Sequence, residues 1–188
     1  MLQNEVLKNI EYRRAVFQAN YTDQEVTREE LLTILEAANA APTHKRTQPW
    51  RFVIFRNEGL IRLGDELARI YKSVTPAEKY TEATEQNMAK KATQSKTGLA
   101  IIVDYSGDLP EWEELAATAC AVENMWLAAA SIGIGGYWAT PGLINHIGPF
   151  LNLKENQRCI GFFYMGHHES EPREPVRGPI EDKIRWEE

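Results

Sequence analysis

A single α/β domain, with helices and strands layered on one another, is the fold this sequence predicts. Three observations predict it. Helical spacing of apolar residues alternates with short strand-like runs, no hairpin turn joins two of those runs, and the chain holds neither internal repeats nor low-complexity linkers. At 188 residues the chain suits one core covering ~70% of its unfolded surface, so 1–188 is read as one domain.

A helix is expected from about Leu2 to Tyr12, running into a turn at Arg13-Arg14, with a loop through Tyr21-Thr22-Asp23 behind it. Thr27 and Glu30 form a capping box for the next helix, in which Leu31, Leu32, Leu35 and Ala38 recur at helical spacing. Pro42 stops that helix, and Pro49 biases Gln48 toward an extended backbone. Six mostly polar residues are thereby held in a short, stiff loop before a strand from Arg51 to Phe55. Asn57-Glu58-Gly59 turns the chain into a helix from about Glu58 to Lys72, whose Leu60, Leu63, Leu67 and Ile70 share one face. The segment from Pro76 to Lys96 is mostly polar and reads as an exposed, mobile helical excursion, a cover and not core. Strands are expected at Leu99 to Tyr105 and Cys159 to Met165, and a proline-rich, charged tail closes the chain.

Between those strands lies a helix from about Glu111 to Ile132. Trp112, Leu115, Ala116, Ala119, Val122, Met125, Trp126, Ala129 and Ala130 cover more than one of its faces, so it wants burial on nearly all sides. Glu113, Glu114, Glu123 and Asn124 interrupt it, which excludes a membrane span. One small domain holds too little material to surround it, so part of its surface is expected to meet a second copy of the chain. A central core helix in a monomer is the alternative.

Charge narrows the function classes. Lysine and arginine number 21 against 27 acidic residues, a net charge of -6, and no basic stripe follows any helix, so nucleic acid is a poor partner. Cys120 and Cys159 sit among apolar neighbours and read as reduced core cysteines, which favours the cytoplasm. No export signal is read at Met1-Leu2-Gln3-Asn4-Glu5. His167-His168 resembles a metal pair only superficially, since neighbours on an extended chain point apart. No phosphate-binding loop, nucleophile elbow or zinc-protease motif occurs.

Four segments remain that are rich in ligand-binding chemistry. They are Arg13-Arg14-Ala15, the loop from Ala41 to Phe52, the glycine-rich turn Gly133-Ile134-Gly135-Gly136-Tyr137-Trp138, and Arg177-Gly178-Pro179-Ile180-Glu181-Asp182. Arginine forks reach two phosphate oxygens at once, glycines admit a close backbone approach, and Trp138 offers a flat face. A dinucleotide fingerprint does not fit the glycine turn, because it follows a helix and its third glycine position is Trp138.

In order and spacing these segments resemble the R-R-S, A-P-S-x-x-N-x-Q-P-W-x-F, G-L-G-x-x-W and R-x-P-L-E-E motifs of the nitroreductase family. The resemblance spans the chain from end to end. It implies a central mixed, mainly antiparallel sheet flanked by helices, in an intertwined homodimer with one FMN in each interface. It also implies the site residues: Arg13, Arg14 and Arg177 on the phosphate, the backbone of Ala15 beside them, and Trp138, Ala139 and Thr140 along the flavin. His44, with Arg46 and Gln48 in its loop, would reach the cofactor from the partner subunit.

Three positions depart from the pattern: Ala15 replaces a small hydroxyl residue, Arg46 replaces Asn, and Phe17 stands where a basic residue often follows. Arg46 could set a positive charge by the flavin's pyrimidine edge, where a cation stabilises the anionic reduced form. The implied activity is hydride transfer from NAD(P)H through flavin N5 to an electron-poor small molecule, a nitroaromatic or quinone, in alternating half-reactions. The flavin carries the chemistry, so no side chain is nominated as acid or base. An FMN dehydrogenase or dehalogenase acting on a specific metabolite, and a flavin binder without turnover, stay open as alternatives.

Overall fold

The first helix, α1 (Glu5–Tyr12), starts where a polar side chain caps it: Asn4 Oδ1 accepts from the Val6 N–H at 2.8 Å. The computed structural model describes residues 4–171 and 173–188, so Met1 to Gln3 of the expected helix lie outside the described residues. The capping box of α2 (Arg28–Asn39) forms as its sequence dictates, with Thr27 N–H donating to the Glu30 carboxylate at 2.8 Å. Burial pushes the Glu30 carboxyl up, but hydrogen bonds from Thr27 and the imidazole of His167, 3.3 Å away, outweigh it and hold the group below its usual range.

Four strands, β1 (Trp50–Phe55), β2 (Thr97–Asp104), β3 (Ile134–Ala139) and β4 (Gln157–His167), form one sheet in the order β1-β2-β4-β3. Every strand pair is antiparallel, in keeping with the mixed, mainly antiparallel sheet expected; among the described residues the parallel element is an isolated bridge from Ala15 to Gly136. β2 is apolar on both faces because helices cover both. On one side α2 and α5 (Glu111–Ser131) pack Leu31, Ile34, Val122 and Met125 against Leu99, Ile101 and Phe163. On the other, α3 (Glu58–Val74) lays its Leu60, Leu63, Leu67 and Ile70 stripe against Ala100, Ile102, Phe162 and Tyr164. α4 (Glu82–Thr93) lies outside α3, and α6 (Gly148–Leu151) is a single turn before β4.

Three expectations are corrected. The glycine-rich segment after α5 is not one long turn: only Gly133, at φ 78°, turns, and Ile134 to Ala139 is the edge strand β3. Cys120 is exposed on α5, whereas Cys159 is buried and its thiol pushed up to about 11 by desolvation. The segment from Pro76 to Lys96 is docked and not a loose cover. Tyr80 stacks on Tyr71 at 5.8 Å between centroids, Ala92 is fully buried, and Gly64 lets α4 approach so closely that a Cβ there would stand 2.7 Å from the Ala89 carbonyl oxygen. Small residues anchor this helix, so it carries no apolar stripe to read in the sequence.

Shortening the segment is therefore expected to unmask α3 and destabilise the protein. A milder version is Gly64→Val, which should cost about 2–3 kcal/mol by overpacking the α3–α4 seam. Thermal unfolding checks it; an unchanged midpoint would mean that the two helices part freely.

α5 has two different faces. Glu114, Ala117, Ala121, Val122, Met125 and Ala129 are buried, and the Glu114 carboxylate accepts from the Ser106 N–H at 3.0 Å, pinning the loop before the helix. The opposite face exposes Trp112, Leu115, Ala116 and Cys120. Beside it α1 exposes Val6, Leu7 and Ile10, joined to α5 through Asn9 Nδ2 and the Leu127 carbonyl at 3.0 Å. The tail leaves Val176, Ile180 and Trp186 exposed as well. Among the described residues, no helix is long and apolar enough to cross a membrane.

Candidate functional site

Two groups of polar residues stand at different places along α5. The first is the loop between α2 and β1. Lys45, Arg46 and Gln48 all take left-handed backbone angles (φ 49°, 59° and 45°), a setting that costs side-chain-bearing residues of order 1 kcal/mol each. Side chains hold it there. Thr43 Oγ1 accepts from the Gln48 N–H at 3.0 Å, Arg51 donates to the Gln48 carbonyl at 2.7 Å, and Trp50 Nε1 anchors the strand start to Asn39 at 3.1 Å. The result projects His44, Lys45, Arg46 and Gln48 into solvent. His44 Nδ1 is fixed by Glu113 Oε2 at 2.6 Å, in the first turn of α5.

The second group is a cleft where the turn after α1 meets the edge of β3. The Val16 N–H donates to the Gly136 carbonyl at 3.1 Å, which sets Ala15 against that edge. Gly135 and Gly136 are glycines for packing and not for a turn. A Cβ on Gly135 would stand 2.6 Å from both His168 and Val16, and one on Gly136 would stand 2.5 Å from the Phe163 ring. Arg13, Arg14 and Arg173 line the cleft with Trp126, His168 and Ser170.

The Arg13 guanidinium lies 4.3 Å above the Trp126 ring. Its Nε is 3.3 Å from Glu123 Oε1 but not aligned for a hydrogen bond, and it is buried with no other partner among the described residues. Such a donor favours an anion in the cleft. Arg14 braces the turn and the tail together, donating Nε to the Arg173 carbonyl at 2.8 Å and Nη1 to the carbonyls of Arg13 and Glu11. Phe17 has left the cleft, its ring packing on Tyr137 at 4.8 Å.

From this cleft β3 leads on to Trp138, two residues and about 7 Å beyond Gly136. Trp138 is positioned by a bulge. β4 has one residue more than β2 between Gly161 and Cys159, so the Ile160 carbonyl turns to accept from Trp138 Nε1 at 3.3 Å. Ala139 is half-buried and Thr140 exposed beyond it.

Of the residues expected in a site, the chain brings Arg13, Arg14 and Ala15 together and continues along one strand edge to Trp138, Ala139 and Thr140. It holds His44, Arg46 and Gln48 elsewhere. Glu113 and Glu123, which pair with His44 and Arg13, are ten residues and about 15 Å apart along α5. Arg177 also stands apart, in the exposed tail, while Arg173 occupies the cleft. Trp126, His168, Ser170 and Arg173 were missed. In the sequence Trp126 reads as helix packing and His168 as half of a superficial metal pair, and nothing marks Ser170 or Arg173. Among the described residues no cluster suits a metal ion.

Comparison with known proteins gives this geometry a context. The model of the nitroreductase family matches residues 10–167. The "Putative NAD(P)H nitroreductase YfhC" of Bacillus subtilis is 28% identical over 189 residues, covering 97% of this chain and 94% of that protein. A nitroreductase-like family protein from Bacillus cereus superimposes with a TM-score of 0.85 at 24% identity, over 100% of this chain and 98% of the other. A Desulfovibrio desulfuricans protein, described as a putative nitroreductase in complex with FMN, superimposes with a TM-score of 0.73 at 25% identity, covering 99% and 98%. The chain belongs to the nitroreductase family.

Proposed function

We propose that the protein is an FMN-dependent NAD(P)H oxidoreductase working as a homodimer, and that its acceptor is an electron-poor small molecule such as a nitroaromatic or a quinone. One observation carries the reading: a cationic cleft lies at the start of β3, and that strand runs on to a flat aromatic residue. A ligand with an anionic end and a planar end matches that layout, and the Desulfovibrio relative carries FMN. The residues present fit the group. Arg13 offers a buried guanidinium nitrogen without a hydrogen-bond partner, and Arg14 and Arg173 add charge.

When bound, FMN supplies hydride acceptance at N5 and onward delivery to the acceptor in a second half-reaction. The chain's own residues position and exclude. Arg13 and Arg14 would hold the phosphate end, the backbone from Gly136 to Thr140 would border the ring system, and Trp138 would offer it a flat wall. By the resemblance to the family, the loop from His44 to Gln48 is assigned to the cofactor held in the partner subunit's cleft. That arrangement covers the exposed face of α5 and gives the tail a surface to wrap, which brings Arg177 to the partner's phosphate site. A reducing compartment, the cytoplasm, suits the free thiols of Cys120 and Cys159.

Heat-released flavin separated by chromatography tests the cofactor: FMN supports the reading and FAD overturns it. Arg177→Ala should weaken FMN binding by ~1.5–3 kcal/mol, the scale of a charge-assisted hydrogen bond. An unchanged dissociation constant would remove Arg177 from the site.

A further inference from the structure

The cleft contains a donor pair that the reading above leaves without a task. His168 is fixed on three sides. Its backbone bridges Tyr21, its ring edge lies on Gly135 where a Cβ would stand 2.6 Å away, and its Nδ1 is 2.9 Å from Ser170 Oγ. Both side chains line the cleft with Arg13, Arg14 and Arg173, against one carboxylate, Glu171.

The two cations nearest the turn bring charge to the phosphate from side chains that the fold already braces. Arg13 is stacked on Trp126 beside Glu123, and Arg14 spends its Nε and Nη1 on backbone carbonyls. The His168–Ser170 pair is different. If the hydroxyl donates to Nδ1, the ring's proton sits on Nε2 and points elsewhere; if Nδ1–H donates to the hydroxyl, the hydroxyl proton is the free one. In either arrangement one proton is left over for a ligand, and an imidazolium would leave two.

The geometry points to His168 and Ser170 as the donor pair that recognises a phosphate monoester in this cleft, distinguishing a phosphorylated ligand from the same ligand without phosphate. This inference rests on the FMN reading. The pair is rigid, carries at least one outward hydrogen in every tautomer, and lies where three arginines concentrate positive charge. A phosphate has the oxygens to accept from Nε2–H or from the hydroxyl, while a neutral alcohol at that position offers one weak acceptor.

Dissociation constants of FMN and riboflavin for the flavin-stripped protein, read by flavin fluorescence, test it. Ser170→Ala and His168→Phe should each lower FMN affinity about tenfold, as expected for a lost charge-assisted hydrogen bond, and leave riboflavin affinity unchanged. Because the two act as a unit, the double variant should bind FMN no worse than His168→Phe alone, and Ser170→Thr should retain full affinity. His168→Phe keeps a flat ring over Gly135; Ser170→Ala removes only a half-exposed hydroxyl and so stands as the test if His168→Phe does not fold. FMN and riboflavin falling together, or no change in either, would overturn the inference. Wild-type protein that binds no flavin at all would instead overturn the FMN reading.

Discussion

Gly161→Ala should lower the thermal midpoint by about 6–20 °C and displace Trp138. Gly161 sits at the bulge of β4 with φ 155°, and a Cβ there would fall on Trp138 Nε1 and within 2.9 Å of the Ala139 carbonyl oxygen. Neither neighbour can yield cheaply. The indole is held by the Ile160 carbonyl, and Ala139 is paired to Phe162 across the sheet. Overpacking together with an unfavourable backbone setting costs about 3–5 kcal/mol, and each kcal/mol moves the midpoint of a domain this size by about 2–4 °C. Tryptophan fluorescence should report the displaced indole, and flavin retention should fall with it. A midpoint and spectrum like the parent's would mean that the bulge does not position Trp138.

Replacing Trp112 and Leu115 together by Glu should separate the subunits and strip the flavin. These residues are 68% and 41% exposed in the chain, on a face of α5 that no other element covers among the described residues. In the proposed dimer they are buried, and two carboxylates placed there cost at least about 4 kcal/mol, roughly a thousandfold in association. Sedimentation should give twice the chain mass of 21.4 kDa for the parent and a single chain mass for the variant. Because Glu113, Glu114 and the buried face of α5 are untouched, helix content should persist. A variant that stays dimeric, or a monomer that keeps its flavin, would place the interface elsewhere.

The parts legible in the sequence were those fixed by neighbours along the chain. Thr27 and Glu30 announced a helix start, and the Leu60, Leu63, Leu67 and Ile70 stripe announced a buried face. What stayed hidden was set by contacts across the fold. Gly135 and Gly136 read as turn residues, yet they are small because His168, Val16 and Phe163 approach the strand so closely. α4 looked unanchored because its seam is built from Gly64, Ala89 and Ala92, which leave no apolar stripe. Gln48, which Pro49 was expected to hold extended, instead takes a left-handed backbone as Arg46 does, because bonds from Thr43 and Arg51 fix the loop. The site was legible as four segments. Which of them share one chain's cleft, and that His168, Ser170 and Arg173 join them, depends on the register of β3 and the path of the tail.

An anaerobic titration tests the central claim most directly. Purified protein with its bound FMN is mixed with NADH or NADPH, and the visible flavin band is followed before and after adding a nitroaromatic or quinone. The band should bleach with at least one nicotinamide and return on adding the acceptor. A flavin that stays oxidised with both nicotinamides would contradict an NAD(P)H oxidoreductase and leave a protein that binds flavin without turning it over.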